Sequence, residues 1–319
     1  MATLSSVAVA SATRARVSVR RTCASHKSYF VGGIALPRMV RNISSQRRGL
    51  QVTANAAPTG DALPPRAVFN TVCATAEKKA AQEPGTTLAL GFSAGALIGL
   101  GALLMSCIGA ASPALAAANP GLCNFLKGAV GLPAGLTLVI LTGAELFTGN
   151  VMVMLSGLLT KRVKTEALVR NWVLSYAGNF IGSVVLAYLA FGANTAAAPA
   201  AKAAVVGIAT MKASLPFGVA FAKGVLCNWL VCLAVWGTMA STSVAGKILA
   251  IFWPITAFVA LGFEHSIANM FLIPHGMLCG ATVTVKDMLL KNIIPVTLGN
   301  VFAAAVFVAG LHFYAYGRE

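Results

Sequence analysis

Stretches of about 20 residues with almost no charge recur along this chain, and that is the length that crosses the hydrocarbon core of a bilayer. They fall at roughly 86–112, 122–160, 169–192, 216–238, 247–278 and 289–314. A backbone in lipid must satisfy its N–H and C=O groups internally, so such segments fold as helices. The composition agrees: 57% of residues are hydrophobic, 10% are charged and the mean hydropathy is +0.79. Soluble domains carry about a quarter charged residues. The expectation is an all-α membrane protein with six transmembrane helices.

The net charge of +16 is unevenly spread. Residues 1–60 contain no Asp or Glu but hold nine of the 24 basic residues, from Arg14 to Arg48, among many Ser and Ala. An acid-free, Arg- and Ser-rich leader is the pattern of an organelle transit peptide rather than of a nucleic-acid-binding arm. "LQVTANAAP" (Leu50–Pro58) has the small-residue look of a chloroplast processing site, with the mitochondrion as runner-up. The reading is a chloroplast transit peptide over 1–55, a linker and amphipathic helix over 56–84, and a six-span membrane domain over 85–315. In the second of these, Val68, Phe69, Val72 and Ala76 fall at helical spacing, fit to lie on a membrane or on the protein itself. Lys161, Arg162 and Lys164 mark one side as that of the termini, the stroma in a chloroplast. The seven cysteines form no CxxC pair, so neither a disulfide framework nor a metal site is expected.

Two of the apolar regions are too long for one span, and both are interrupted in the same way. "GAELFTGN" places Glu145 between Gly143 and Asn150; "GFEHSIAN" places Glu264 between Gly262 and Asn269. Each pair of matching residues is 119 apart (262−143, 264−145, 269−150). Downstream, Asn171 and Asn179 answer Asn292 and Asn300 at an offset of 121. Upstream, Phe92-x-x-Gly95 is matched to Phe221-x-x-Gly224 at 129. The chain therefore reads as two copies of a three-span unit. Three is odd, so the second copy enters the membrane inverted, and paired broken helices in such repeats point at the substrate path. Half-helix termini aim partial charge inward, which suits an anion.

These residues resemble the formate/nitrite transporter family. "GAELFTGN", "NWVLSYAGNFIGS", "CNWLVCLAVW", "GFEHSIANMFLIP" and "NIIPVTLGN" look like its signatures, in its order, over about 66–315. The resemblance implies an aquaporin-like bundle with the second and fifth helices broken, assembled as a homopentamer with one pore per protomer. It puts the central pore histidine at His265 and a facing threonine at Thr148. It puts the constriction at Leu132, Leu136, Val231 and Phe258, and polar pore partners at Asn228 and Asn300. It matches Lys79 and Lys212 to lysines that draw anions to the mouths. Leu132 is a departure, a smaller side chain where bacterial members commonly carry Phe.

His265 is read as a pore group, because an ionisable residue at membrane depth marks a functional site by default. A carboxylate on the path would repel an anion, so Glu145 and Glu264 are read as structural, each accepting backbone N–H bonds at its break. Asn150, Asn171, Asn179, Asn269 and Asn292 are read as struts. Lys223, inside an apolar run, either snorkels or pairs with Glu145 or Glu264. His275 and His312 are read as structural. The sequence has no HExxH, P-loop or dinucleotide fingerprint, so no enzyme, cofactor or nucleic-acid partner is expected. The partners expected are a small anion, the lipid bilayer and further copies of the chain. The function expected is passage of nitrite across the chloroplast envelope, its inner membrane, into the stroma. Bicarbonate or formate is the close rival and a neutral-solute pore the distant one.

Overall fold

The computed structural model describes residues 62–318; the leader over 1–55 and Cys23 lie outside the described residues. Apart from one isolated bridge between Ala62 and Ser241, the described chain is helical. Helix α1 (Pro65–Ala81) is followed by α2 (Pro84–Gly109), α3 (Pro120–Thr142), α4 (Phe147–Leu159) and α5 (Thr165–Gly192). The second half runs α6 (Pro199–Ala213), α7 (Phe217–Ala240), α8 (Val244–Ala260), α9 (Ser266–Leu278) and α10 (Val285–Tyr316). Among the described residues, α2, α3, α5, α7 and α10 are long and apolar enough to cross a membrane, while α4 and α8 are shorter apolar helices. Their outward faces carry large exposed apolar side chains such as Val173, Leu189, Leu249 and Trp253. That surface suits lipid or neighbouring protein rather than water.

Packing repeats between the halves. α2 lies along α5 as α7 lies along α10; α1 covers α4 as α6 covers α9. The broken elements cross over, since α4 packs on α10 and α9 packs on α5. Glycines set the close approaches. A Cβ on Gly178 would stand 2.6 Å from the Leu88 carbonyl oxygen, and one on Gly299 would strike the Phe221 carbonyl oxygen. Small residues at such crossings let helices in lipid gain contact.

Those contacts correct the upstream register. Leu88 answers Phe221 and Gly91 answers Gly224, each 133 apart (221−88, 224−91), not 129. The difference is four residues, about one helical turn. A one-turn slip keeps the same face, so the Phe-x-x-Gly pattern fitted either register.

The amphipathic α1 packs on its own protein, with Val68, Phe69, Val72, Cys73 and Ala76 buried. Both breaks open on a glycine in the left-handed region, Gly143 and Gly262, each at φ 70. A side chain is strained there, and glycine is not. The next helix then starts afresh, at Phe147 and at Ser266.

Candidate functional site

Each break is held by one glutamate, one lysine and three asparagines. At the first, Glu145 accepts from Lys79 Nζ at 2.6 Å, Asn150 Nδ2 at 2.6 Å and Asn171 Nδ2 at 3.1 Å. At the second, Glu264 accepts from Lys212 Nζ at 3.0 Å, Asn269 Nδ2 at 2.7 Å and Asn292 Nδ2 at 3.1 Å. Both carboxylates are buried. A charge taken out of water is tolerable when it is paired and its lone pairs are filled, and here both conditions hold.

The third asparagine clamps the backbone. Asn179 accepts the Phe147 N–H at 2.9 Å and donates to the carbonyls of Gly91 and Glu145 at 2.8 and 2.9 Å. Asn300 accepts the Ser266 N–H at 2.9 Å and donates to the carbonyls of Gly224 and Glu264 at 2.8 and 3.1 Å. The Glu145 N–H reaches the Leu90 carbonyl, and the Glu264 N–H reaches that of Lys223. Each broken backbone is thus satisfied from a neighbouring helix, as non-helical chain at membrane depth must be.

Two expectations change, and one of the two alternatives for Lys223 falls. The glutamate carboxylates take side-chain donors rather than backbone N–H bonds; the amide of Asn179 or Asn300 does that work, having both a donor and an acceptor end. Lys79 and Lys212, expected to draw anions to the mouths, are ion-paired, with side chains 16% and 10% exposed. Lys223 pairs with neither glutamate among the described residues; only its backbone carbonyl serves the break.

The two repeats differ where the breaks face each other. His265 stands where the first break has Leu146, and Thr148 where the second has Ile267 (265−146 and 267−148 are both 119). His265 Nε2 lies 2.9 Å from Thr148 Oγ1, and the contact is buried. His265 Nδ1 accepts the Ala268 N–H at 3.1 Å, which caps α9. A ring nitrogen accepting a backbone N–H holds its lone pair, so the neutral imidazole carries its proton on Nε2. That Nε2–H donates to Thr148.

The neck beside this contact is lined by Leu132, Leu136, Val231 and Phe258, together with Ile98, Leu146, Ile255 and His265. Two vestibules flank it. One shares Leu136 and Leu146 with the neck and reaches Lys79 and Asn150. The other shares Leu132, Phe258 and His265 with it and reaches Lys212, Glu264 and Asn269. The four residues that the resemblance puts at the constriction therefore meet in one place. Leu146, Ile98 and Ile255 carried no signal, being apolar residues in apolar runs; the repeat could have drawn attention to Leu146 alone.

Asn228 and Asn300, expected to face the path, line neither vestibule nor neck. Asn228 donates to the carbonyls of Thr148 and Asn300 at 3.2 and 2.8 Å, bracing the two breaks together. His275 is buried against Phe271, and His312 packs against Trp236 with the two rings tilted at 39°. Among the described residues no cluster of His, Cys, Asp or Glu is arranged to hold a metal ion.

The family model described as "Formate/nitrite transporter" matches residues 66–314. A "Probable formate transporter" of Methanothermobacter thermautotrophicus is 45% identical over 261 residues, 77% of this chain and 94% of that protein. The nitrite transporter NirC of Escherichia coli is 35% identical over 223 residues, 70% of this chain and 80% of its own. Among solved structures, an FNT family ion channel superposes with a TM-score of 0.71 at 33% identity, covering 78% of this chain and 98% of the other. A structure titled pentameric formate channel with formate bound gives 0.65 at 30% identity, covering 74% and 98%.

Proposed function

The chain belongs to the formate/nitrite transporter family, and on that premise we propose that it is a pore for small monovalent anions, formate and nitrite being the substrate class. The observation that carries this is the Thr148–His265 contact at 2.9 Å, set beside an apolar neck between two polar vestibules. The names of the relatives, formate transporter and nitrite transporter, point to the same class.

An anion entering the neck loses most of its water, which costs several kcal/mol per ion even after relaxation, on the order found for buried charges. Two features offset that cost. The N-termini of α4 and α9 meet at this point, and each brings a partial positive charge of about half an elementary unit. The His265 Nε2–H, held by the Ala268 cap, is aimed at whatever acceptor lies beside Thr148. A passing carboxylate or nitrite oxygen replaces the Thr148 hydroxyl as acceptor, and the hydroxyl turns to donate in its place. His265 acts here as a hydrogen-bond donor.

The finer parts of the proposal are a six-crossing inverted repeat, a homopentamer and a chloroplast envelope location with nitrite as the physiological anion. Matched break networks at 119 and 121 residues support the repeat. The acid-free leader supports the plastid. The test is competitive uptake of nitrite, formate and bicarbonate into proteoliposomes at two pH values. Saturable uptake of nitrite or formate that is lost in His265→Asn is expected. Water flux without anion flux would refute the proposal.

A further inference from the structure

We propose that Lys127 and Lys247 are the anion-capture groups of the two vestibules, each lent to one vestibule by the opposite half of the chain; this rests on the anion-pore reading above.

The vestibules are built from matched residues. Lys79, Gly143, Asn150 and Val153 line one; Lys212, Gly262, Asn269 and Leu272 line the other. Each vestibule is lined mostly by one half of the chain. The exceptions include one lysine apiece. Lys127, on α3 of the first half, lines the vestibule of the second, and Lys247, on α8 of the second half, lines the vestibule of the first. They are 120 residues apart (247−127), one residue from the register of the breaks.

Charge decides what these lysines do. In the Lys212 vestibule the charged and titratable lining groups are Lys127, Lys212, Glu264 and His265. Lys212 and Glu264 cancel, and His265 is neutral while it caps α9. In the other vestibule Lys79 cancels against Glu145, which leaves Lys247. Without Lys127 and Lys247 both vestibules would carry no net charge; with them each carries one positive charge. Among the described residues neither ammonium has an ion-pair or hydrogen-bond partner, and both lysines are half-buried. A half-buried ammonium with unfilled donors, in a cleft with apolar walls, concentrates small anions at the entrance to the neck. Lys127 lies five residues before the neck residue Leu132 (132−127), so capture feeds directly into passage.

The test measures initial formate uptake into proteoliposomes holding the purified full chain, at low ionic strength and over a range of formate concentrations. For Lys127→Gln and Lys247→Gln the half-saturating concentration is expected to rise about three- to tenfold, with maximal flux kept within about twofold. Lys→Arg at either position should restore the wild-type value. An inert salt with an impermeant anion should narrow the difference, because screening shortens the reach of the charge. A double Gln variant with wild-type half-saturation and wild-type salt dependence would overturn the proposal. So would single variants that lose maximal flux at unchanged half-saturation, since that marks a packing role. If the wild-type protein itself carries neither formate nor nitrite, the anion-pore reading has fallen and the capture role falls with it.

Discussion

His265 Nδ1 accepts the backbone N–H of Ala268 at 3.1 Å, so the ring that faces the neck is also the cap of the helix behind it. A doubly protonated ring has two donors and no acceptor. Charging His265 therefore means giving up the cap, worth about 1 kcal/mol, and placing an unpaired cation in a buried site beside two helix N-termini, which costs more. On the proposed function, the proton already on Nε2 is the one offered to the anion.

The first prediction concerns that tautomer. In protein labelled with 15N only at histidine, the His265 ring should keep Nε2–H and a bare Nδ1 between pH 5.5 and 8. The His265→Asn variant assigns its signals. A ring that titrates near the ordinary histidine value, about 6.5, with both nitrogens protonated below it, would show that the cap yields. His265 could then act as a proton donor to the anion.

A second prediction follows from Lys212 and Glu264, which lie 3.0 Å apart with the carboxylate fully buried. Lys212→Ala leaves Glu264 charged, buried and held only by the amides of Asn269 and Asn292. Removing one partner of such a pair costs about 3–5 kcal/mol. Thermal unfolding of the purified protein should show a large loss for Lys212→Ala. The double variant Lys212→Met, Glu264→Gln should recover much of it, because no charge is then left unpaired. Equal stability of Lys212→Ala and wild type would mean that the pair does not hold the break.

Some of this arrangement was legible in the sequence. Glutamate is rare among these apolar runs, so Glu145 and Glu264 stood out, and the asparagines 119 and 121 residues apart confirmed that the two breaks correspond. Gly143 and Gly262 marked where the chain leaves the helix. The partners were harder to read. Lys79 lies 66 residues before Glu145, and nothing in linear spacing says that α1 folds back onto α4. Lys127 and Lys247 sit near the ends of apolar runs, where basic residues are ordinary flanks, and only the crossing of α3 and α8 brings each to the opposite vestibule. Leu146 was hidden because the repeat is broken at that position: its partner His265 drew attention as chemistry, while leucine reads as packing. Asn300 was assigned to the path by resemblance. Its equivalence with Asn179, visible in the 121-residue offset, already pointed to the backbone clamp.

The third prediction concerns the neck itself. Leu146 and Phe258 are both buried, and both line the narrow space beside His265. Leu146→Ala and Phe258→Ala remove apolar bulk at the point where an anion must shed its water, and a wider neck lets part of the hydration shell pass with it. Formate uptake should become faster, and an anion one methyl group larger, acetate, should gain more than formate does, so that selectivity falls. The same substitutions open a cavity in a packed region and should lower stability by about 2–5 kcal/mol. The flux comparison is therefore made at a temperature where all variants remain folded and assembled, checked by size exclusion. If acetate gains no more than formate in either variant, the apolar ring is not what sorts the anions. Selection would then fall to the His265 Nε2–H and the two helix N-termini, which act on charge rather than on size.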